Sequence, residues 1–88
     1  DFINVADVVA MIDCCIKQKK SDGQIYNVGT GLTTNLHQLW QHLAPGIKPR
    51  KAPARVGDIP RSQASINKAK KELNFKPTVA LAKGLRQF

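Results

Sequence analysis

The sequence has little with which to staple itself, anchor in a membrane or stack on nucleic-acid bases. Its two cysteines, Cys14 and Cys15, are neighbours; on a helix their side chains diverge by about 100° and cannot tie distant segments together. A disulfide framework is therefore excluded, and a reducing, cytoplasmic setting is the expectation. No apolar run approaches the roughly 18 residues of a membrane span, so no membrane partner is expected. Aromatics are 6% of the 88 residues, and they do not alternate with the basic residues as single-stranded nucleic acid requires. The sequence opens on Asp1, without Met or a secretory leader, and reads as an internal piece of a longer protein.

Acid is scarce as well. Fourteen Lys and Arg against six Asp and Glu leave a net charge of +8, which points to an anionic partner without choosing one. The positive charges run from Lys17 to Arg86 rather than clustering, as a solvated surface would have them. With 42% apolar residues the chain can form one small domain, which would bury about 60–65% of its unfolded surface and be marginal alone.

What is present is organised by periodicity. Val5, Val8, Val9, Ile12, Cys15 and Ile16 recur on one helical face, with Asp7 in the first turn and Lys17, Lys19 and Lys20 at the far end, each favourable to the helix dipole. Ser21-Asp22-Gly23 should stop this helix. Gln24 to Val28 then reads as a buried parallel strand, with Ile47 to Ala52 and Ser62 to Ser65 as the remaining strand candidates. Asn35 and Gln38 form a capping-box pattern before the apolar stripe Leu36, Leu39, Trp40 and Leu43, and Pro45-Gly46 ends that helix. Asn67 should cap a short helix through Leu73, with Asn74 left-handed at its end and Pro77 beyond. A last helix is expected near Ala80, with Leu81, Leu85 and Phe88 on one side.

Several constellations could carry chemistry. Gly29-Thr30-Gly31 follows the strand candidate, but Thr34 stands where the third glycine of a dinucleotide loop should fall, and no acidic residue follows at the required distance. His37 and His42 lie about 140° apart around a helix and cannot share a metal from one face. Arg55-Val56-Gly57-Asp58 is the most functional stretch. A guanidinium can fork onto pyrophosphate oxygens, a glycine admits close backbone approach, and a carboxylate can accept from vicinal hydroxyls. The same spacing also suits a local ion pair.

Five blocks in order carry a resemblance. They are Asp1-Phe2-Ile3-Asn4-Val5-Ala6-Asp7-Val8-Val9, Tyr26-Asn27-Val28-Gly29-Thr30-Gly31, Ala54-Arg55-Val56-Gly57-Asp58, Ser65-Ile66-Asn67-Lys68-Ala69 with Leu73-Asn74-Phe75-Lys76-Pro77, and Leu81 with Gly84-Leu85. Together they resemble the C-terminal part of extended short-chain dehydrogenases/reductases acting on nucleotide sugars, the NAD-dependent epimerase/dehydratase family. Ser65, Asn74 and Phe75 stand where that family often has Asp, Gly and Trp.

The resemblance implies an α/β fold: the C-terminal fragment of a Rossmann-type enzyme, with one parallel strand, its flanking helices and a small mixed α/β substrate-binding lobe. Residues 1–31 would be the tail of the NAD-binding domain and 32–88 the nucleotide-sugar lobe. Arg55 would contact the substrate pyrophosphate and Asp58 the nucleotide ribose. NAD and the Tyr-x-x-x-Lys catalytic pair would lie outside this chain, since Thr30 stands four residues after Tyr26. The expected reaction of the whole enzyme, a homodimer, is epimerisation at C4, and the fragment alone is expected to be inactive. The alternatives are 4,6-dehydration by the same family, or a small basic module that binds polyanions.

Overall fold

A computed structural model describes all residues, 1–88. Four α-helices follow one another: α1 Val5–Lys17, α2 Leu36–Leu43, α3 Asn67–Leu73 and α4 Leu81–Leu85, with a short 3-10 turn, Lys19–Ser21, after α1. The radius of gyration is 15.8 Å, against about 12 Å for a compact domain of this length. The looseness has a clear origin: only nine residues are buried, and all of them lie outside 32–61.

The core forms where α1 meets α3. Met11 packs with Ala69, Leu73 and Phe75, bordered by Cys15, Tyr26 and Val28; each large side chain among the buried ones contributes about 1.5–3 kcal/mol. Asn74 enters the left-handed region at φ 54°, as the sequence predicts. This lets the Phe75 amide reach back to the Ala69 carbonyl at 3.2 Å and turns the Phe75 ring into the core. Gln18 Nε2 donates to the Leu73 carbonyl at 3.1 Å, tying the end of α1 to the end of α3.

Three expectations are corrected. The first is the α/β fold class: the chain contains helices and extended coil, and no strand or sheet. Gln24 to Val28 is extended, as Ile25, Tyr26 and Val28 favour, but a strand exists only when paired, and this segment makes no backbone ladder. Its neighbours hold it through side chains. The Tyr26 hydroxyl donates to Glu72 Oε2 at 2.7 Å and Lys68 Nζ to the Ile25 carbonyl at 3.1 Å. Residues 47–52 and 62–65 are likewise coil, so residues 32–88 are helix and loop rather than mixed α/β.

The second correction concerns α1. Of the six apolar positions the sequence sets on one face, Val5, Val9, Ile12 and Ile16 are between 55 and 79% exposed and Val8 and Cys15 are half-buried, while Asp7 and Met11 are buried at 2%. The apolar surface available within the chain is that of α3 and Phe75, and Asp7 turns its own side of α1 inward by bonding to Thr78 and Val79. Third, Asn67 is the first helical residue of α3 rather than its cap; Ile66 precedes it without a side-chain cap. The capping box of α2 forms as expected, with Asn35 Oδ1 accepting from the Gln38 amide at 2.8 Å and Gln38 Oε1 from the Asn35 amide at 3.1 Å.

Candidate functional site

Between α2 and α3 the chain runs without regular structure from 44 to 66. This loop carries Lys48, Arg50, Lys51, Arg55 and Arg61 against the single acid Asp58. It is pinned at both roots. At one, Trp40 Nε1 on α2 donates to the Ile47 carbonyl at 2.6 Å; at the other, Gln63 Nε2 donates to the Gly31 carbonyl at 2.6 Å and the Ala64 amide to Asp1 Oδ2 at 3.3 Å.

At its tip, Arg55-Val56-Gly57-Asp58 folds into a turn. The Asp58 amide donates to the Arg55 carbonyl at 3.2 Å, and Gly57 stands third at φ 88°, the left-handed position that such a turn reserves for glycine. Asp58 Oδ2 closes the turn by accepting from the Arg55 amide at 3.2 Å. The same oxygen lies 3.6 Å from Arg55 Nε. That ion pair is long and its arginine 87% exposed, so it adds little. The two terminal guanidinium nitrogens and Asp58 Oδ1 have no partner in the chain. The turn thus presents a free cationic fork and a free carboxylate oxygen side by side.

The other sequence candidates are used internally. The Thr30 and Gly31 amides of the glycine turn already donate to the Asp1 carboxylate, at 2.9 and 2.8 Å, so they form no cradle for a phosphate. Tyr26 is held by Glu72, whose accepting carboxylate, with lesser help from burial, pushes the phenol up to about 12. Lys68 Nζ sits 4.8 Å from the Tyr26 ring centre. A phenol so held is a structural clasp and not a general base. His37 meets Gln41 on its own helix at 3.4 Å, and no group of three metal-ligating side chains occurs.

Sequence reasoning missed the two carboxylates that organise the chain, Asp1 and Asp7. Asp7 Oδ1 accepts from the Thr78 amide and hydroxyl, both at 2.9 Å, and Oδ2 from the Val79 amide at 3.0 Å. Their partners are largely backbone amides 29 to 72 residues away, and a backbone amide leaves no mark in a sequence.

A basic turn with a free fork and an adjacent carboxylate has the means to pair with an anion and to accept from a hydroxyl, and the chain is similar to several known proteins. UDP-glucose 4-epimerase of Mycolicibacterium smegmatis is 34% identical over 91 residues, covering 97% of this chain and 28% of that protein. UDP-glucuronate 4-epimerase 4 of Arabidopsis thaliana is 30% identical over 106 residues, covering 100% of this chain and 24% of that protein. The chain matches the C-terminal part of a nucleotide-sugar epimerase. An uncharacterized protein of Methanocaldococcus jannaschii is 33% identical over 92 residues, again covering 28% of its length. The chain therefore spans about a quarter of the length of these relatives. No protein-family model matches it, and neither does any solved structure. Nor is any helix long and apolar enough to cross a membrane.

Proposed function

We propose that this chain is the substrate-binding portion of an NAD-dependent nucleotide-sugar 4-epimerase. The observation that carries the reading is the unpartnered fork of Arg55 beside the free Oδ1 of Asp58, on a loop pinned at both ends, in a chain similar to two proteins named as 4-epimerases. Those two names favour epimerisation over 4,6-dehydration. Arg55 would pair its two terminal nitrogens with pyrophosphate oxygens. Asp58 would accept from a ribose hydroxyl through Oδ1 while Oδ2 keeps the turn closed. Gly57, with no side chain, lets the backbone approach the ligand.

NAD comes from the resemblance alone, and the Gly29-Thr30-Gly31 turn does not fit it, because the Asp1 carboxylate occupies the Thr30 and Gly31 amides. No step through NAD is assigned to residues of this chain. In the whole enzyme, a homodimer in this reading, residues 1–31 would border the cofactor-holding domain and 32–88 would form the lobe over the nucleotide sugar. Catalytic groups would lie elsewhere, so this chain by itself would bind weakly and not turn over.

The test is UDP-glucose affinity in the full-length protein. Arg55→Ala should weaken binding by about 2–4 kcal/mol, the loss of a paired charge-assisted contact in a partly desolvated site. Arg55→Lys should restore only part, since an ammonium cannot fork. An unchanged Kd in Arg55→Ala would remove this residue from the site.

A further inference from the structure

The Arg55–Asp58 turn is exposed and has no core of its own, so its place must be set from its roots. The root on the α3 side is gripped at two consecutive residues. Gln63 reaches the Gly31 carbonyl at 2.6 Å, and Asp1 Oδ2 accepts from the Ala64 amide at 3.3 Å. The same carboxylate holds the glycine turn opposite: Oδ1 accepts from the Thr30 amide at 2.9 Å and the Thr30 hydroxyl at 2.6 Å, and Oδ2 from the Gly31 amide at 2.8 Å. One side chain therefore ties two segments 30 or more residues apart with four hydrogen bonds.

The fit around it is tight. A Cβ on Gly29 would stand 2.6 Å from the Ala64 Cβ and 2.9 Å from Asp1 Oδ2, so the two segments approach as closely as a glycine permits. Asp58 lies five positions before Gln63, so the backbone gives a short path by which a shift of the clamp can reach the turn.

We propose that Asp1 is a positioning residue for the nucleotide-sugar site, acting through the 63–64 clamp on Arg55 and Asp58. This rests on the reading of the Arg55–Asp58 turn given above. Asp1 does not touch the ligand. Its carboxylate fixes where the turn stands, so its loss should loosen ground-state binding and leave the reacting centre alone.

The experiment is steady-state kinetics and calorimetric binding of UDP-glucose and UDP to the full-length protein. Asp1→Asn keeps the shape but sets an amide N–H against two of its four donors. It should raise KM and both Kd values about ten-fold while kcat stays within about two-fold. In Asp1→Asn/Arg55→Ala the penalties should fall short of multiplying: with only Asp58 left to position, Asp1→Asn should weaken the binding of Arg55→Ala by no more than about three-fold. A residue that served general stability would lower kcat with the folded fraction and give independent, multiplying penalties.

Should Asp1→Asn fail to fold, Thr30→Val, which removes one of the four bonds, is expected to raise Kd about three-fold, and Thr30→Ser to restore it. If Arg55→Ala leaves Kd unchanged, the site reading itself falls. If Arg55→Ala weakens binding but Asp1→Asn and Thr30→Val leave it untouched, or their penalties multiply with that of Arg55→Ala, the positioning role of Asp1 is overturned.

Discussion

Two regions of this small chain handle their polar groups in opposite ways. In the body formed by α1, α3 and α4, the organising polar groups face inward to other parts of the chain: Asp1 to Thr30, Gly31 and Ala64, Asp7 to Thr78 and Val79, Tyr26 to Glu72. In the arm of residues 32–61 nothing is buried, and Arg55 and Asp58 keep donors and an acceptor unused. A group satisfied within the chain stabilises a shape, whereas one left free can recognise a ligand. Variants in the body should therefore alter stability first, and variants in the arm should alter binding first.

The largest effect is expected at Asp7. Asp7→Ala takes the acceptor away from the Thr78 and Val79 amides at a partly buried contact and should cost about 1–3 kcal/mol locally. The readout is hydrogen exchange at those two amides in the full-length protein, which should speed up accordingly. Acid tests the same contact. Burial works to push the Asp7 carboxyl up, but the hydrogen bonds from the Thr78 and Val79 amides and the Thr78 hydroxyl outweigh it and hold the group below its ordinary 3.8. A depressed folded-state value means the stabilisation is complete above the unfolded value and lost as pH falls below 3.8 and through the folded one. Exchange at Thr78 and Val79 should rise across that window in the wild type and not in Asp7→Ala. Equal protection in both proteins would dissolve the contrast between body and arm.

Much of the local structure was legible in the sequence, because its causes are local. The capping box at Asn35 and Gln38, the left-handed Asn74 and the helix stops depend on neighbours a few residues apart. What was not legible depends on distant partners. The β-favouring run at Ile25, Tyr26 and Val28 gives extended backbone, but pairing is decided by segments elsewhere, and in this chain no ladder forms. The apolar positions of α1 have the period of one face, yet Val5, Val9, Ile12 and Ile16 stay exposed and the buried side carries Asp7 and Met11. For the candidate site, the type and spacing of Arg55 and Asp58 were visible in the sequence, while the clamps that pin their loop, Trp40 on Ile47, Gln63 on Gly31 and Asp1 on Ala64, were not.

A smaller effect is expected where arm meets body. Trp40→Phe keeps the aromatic area and removes only the hydrogen bond from Nε1 to the Ile47 carbonyl, worth about 0.5–1.5 kcal/mol. Because that bond pins one root of the loop, UDP-glucose binding should weaken several-fold with little change in the thermal midpoint. A fall in midpoint as large as that of Asp7→Ala would place Trp40 in the body instead.

The smallest change in stability should come from Asp58, and that is where the comparison is sharpest. Its side chain is about half exposed and its contact with Arg55 Nε is 3.6 Å, so truncation should cost under about 0.5 kcal/mol of stability. Binding should behave otherwise. If Oδ1 accepts from ribose hydroxyls, Asp58→Ala weakens UDP binding by about 1–2 kcal/mol, the worth of hydrogen bonds from neutral donors. Oδ2 closes the turn, however, so the variant could also act by loosening the loop, and affinity for UDP alone does not separate the two causes. A nucleotide without the hydroxyls does. Against 2′,3′-dideoxy-UDP the wild type and Asp58→Ala should bind alike, because nothing remains for Oδ1 to accept. A penalty that persists with the dideoxy nucleotide would make Asp58 a holder of the turn, in the same class as Asp1 and Asp7, and leave Arg55 as the only recognition group on the arm.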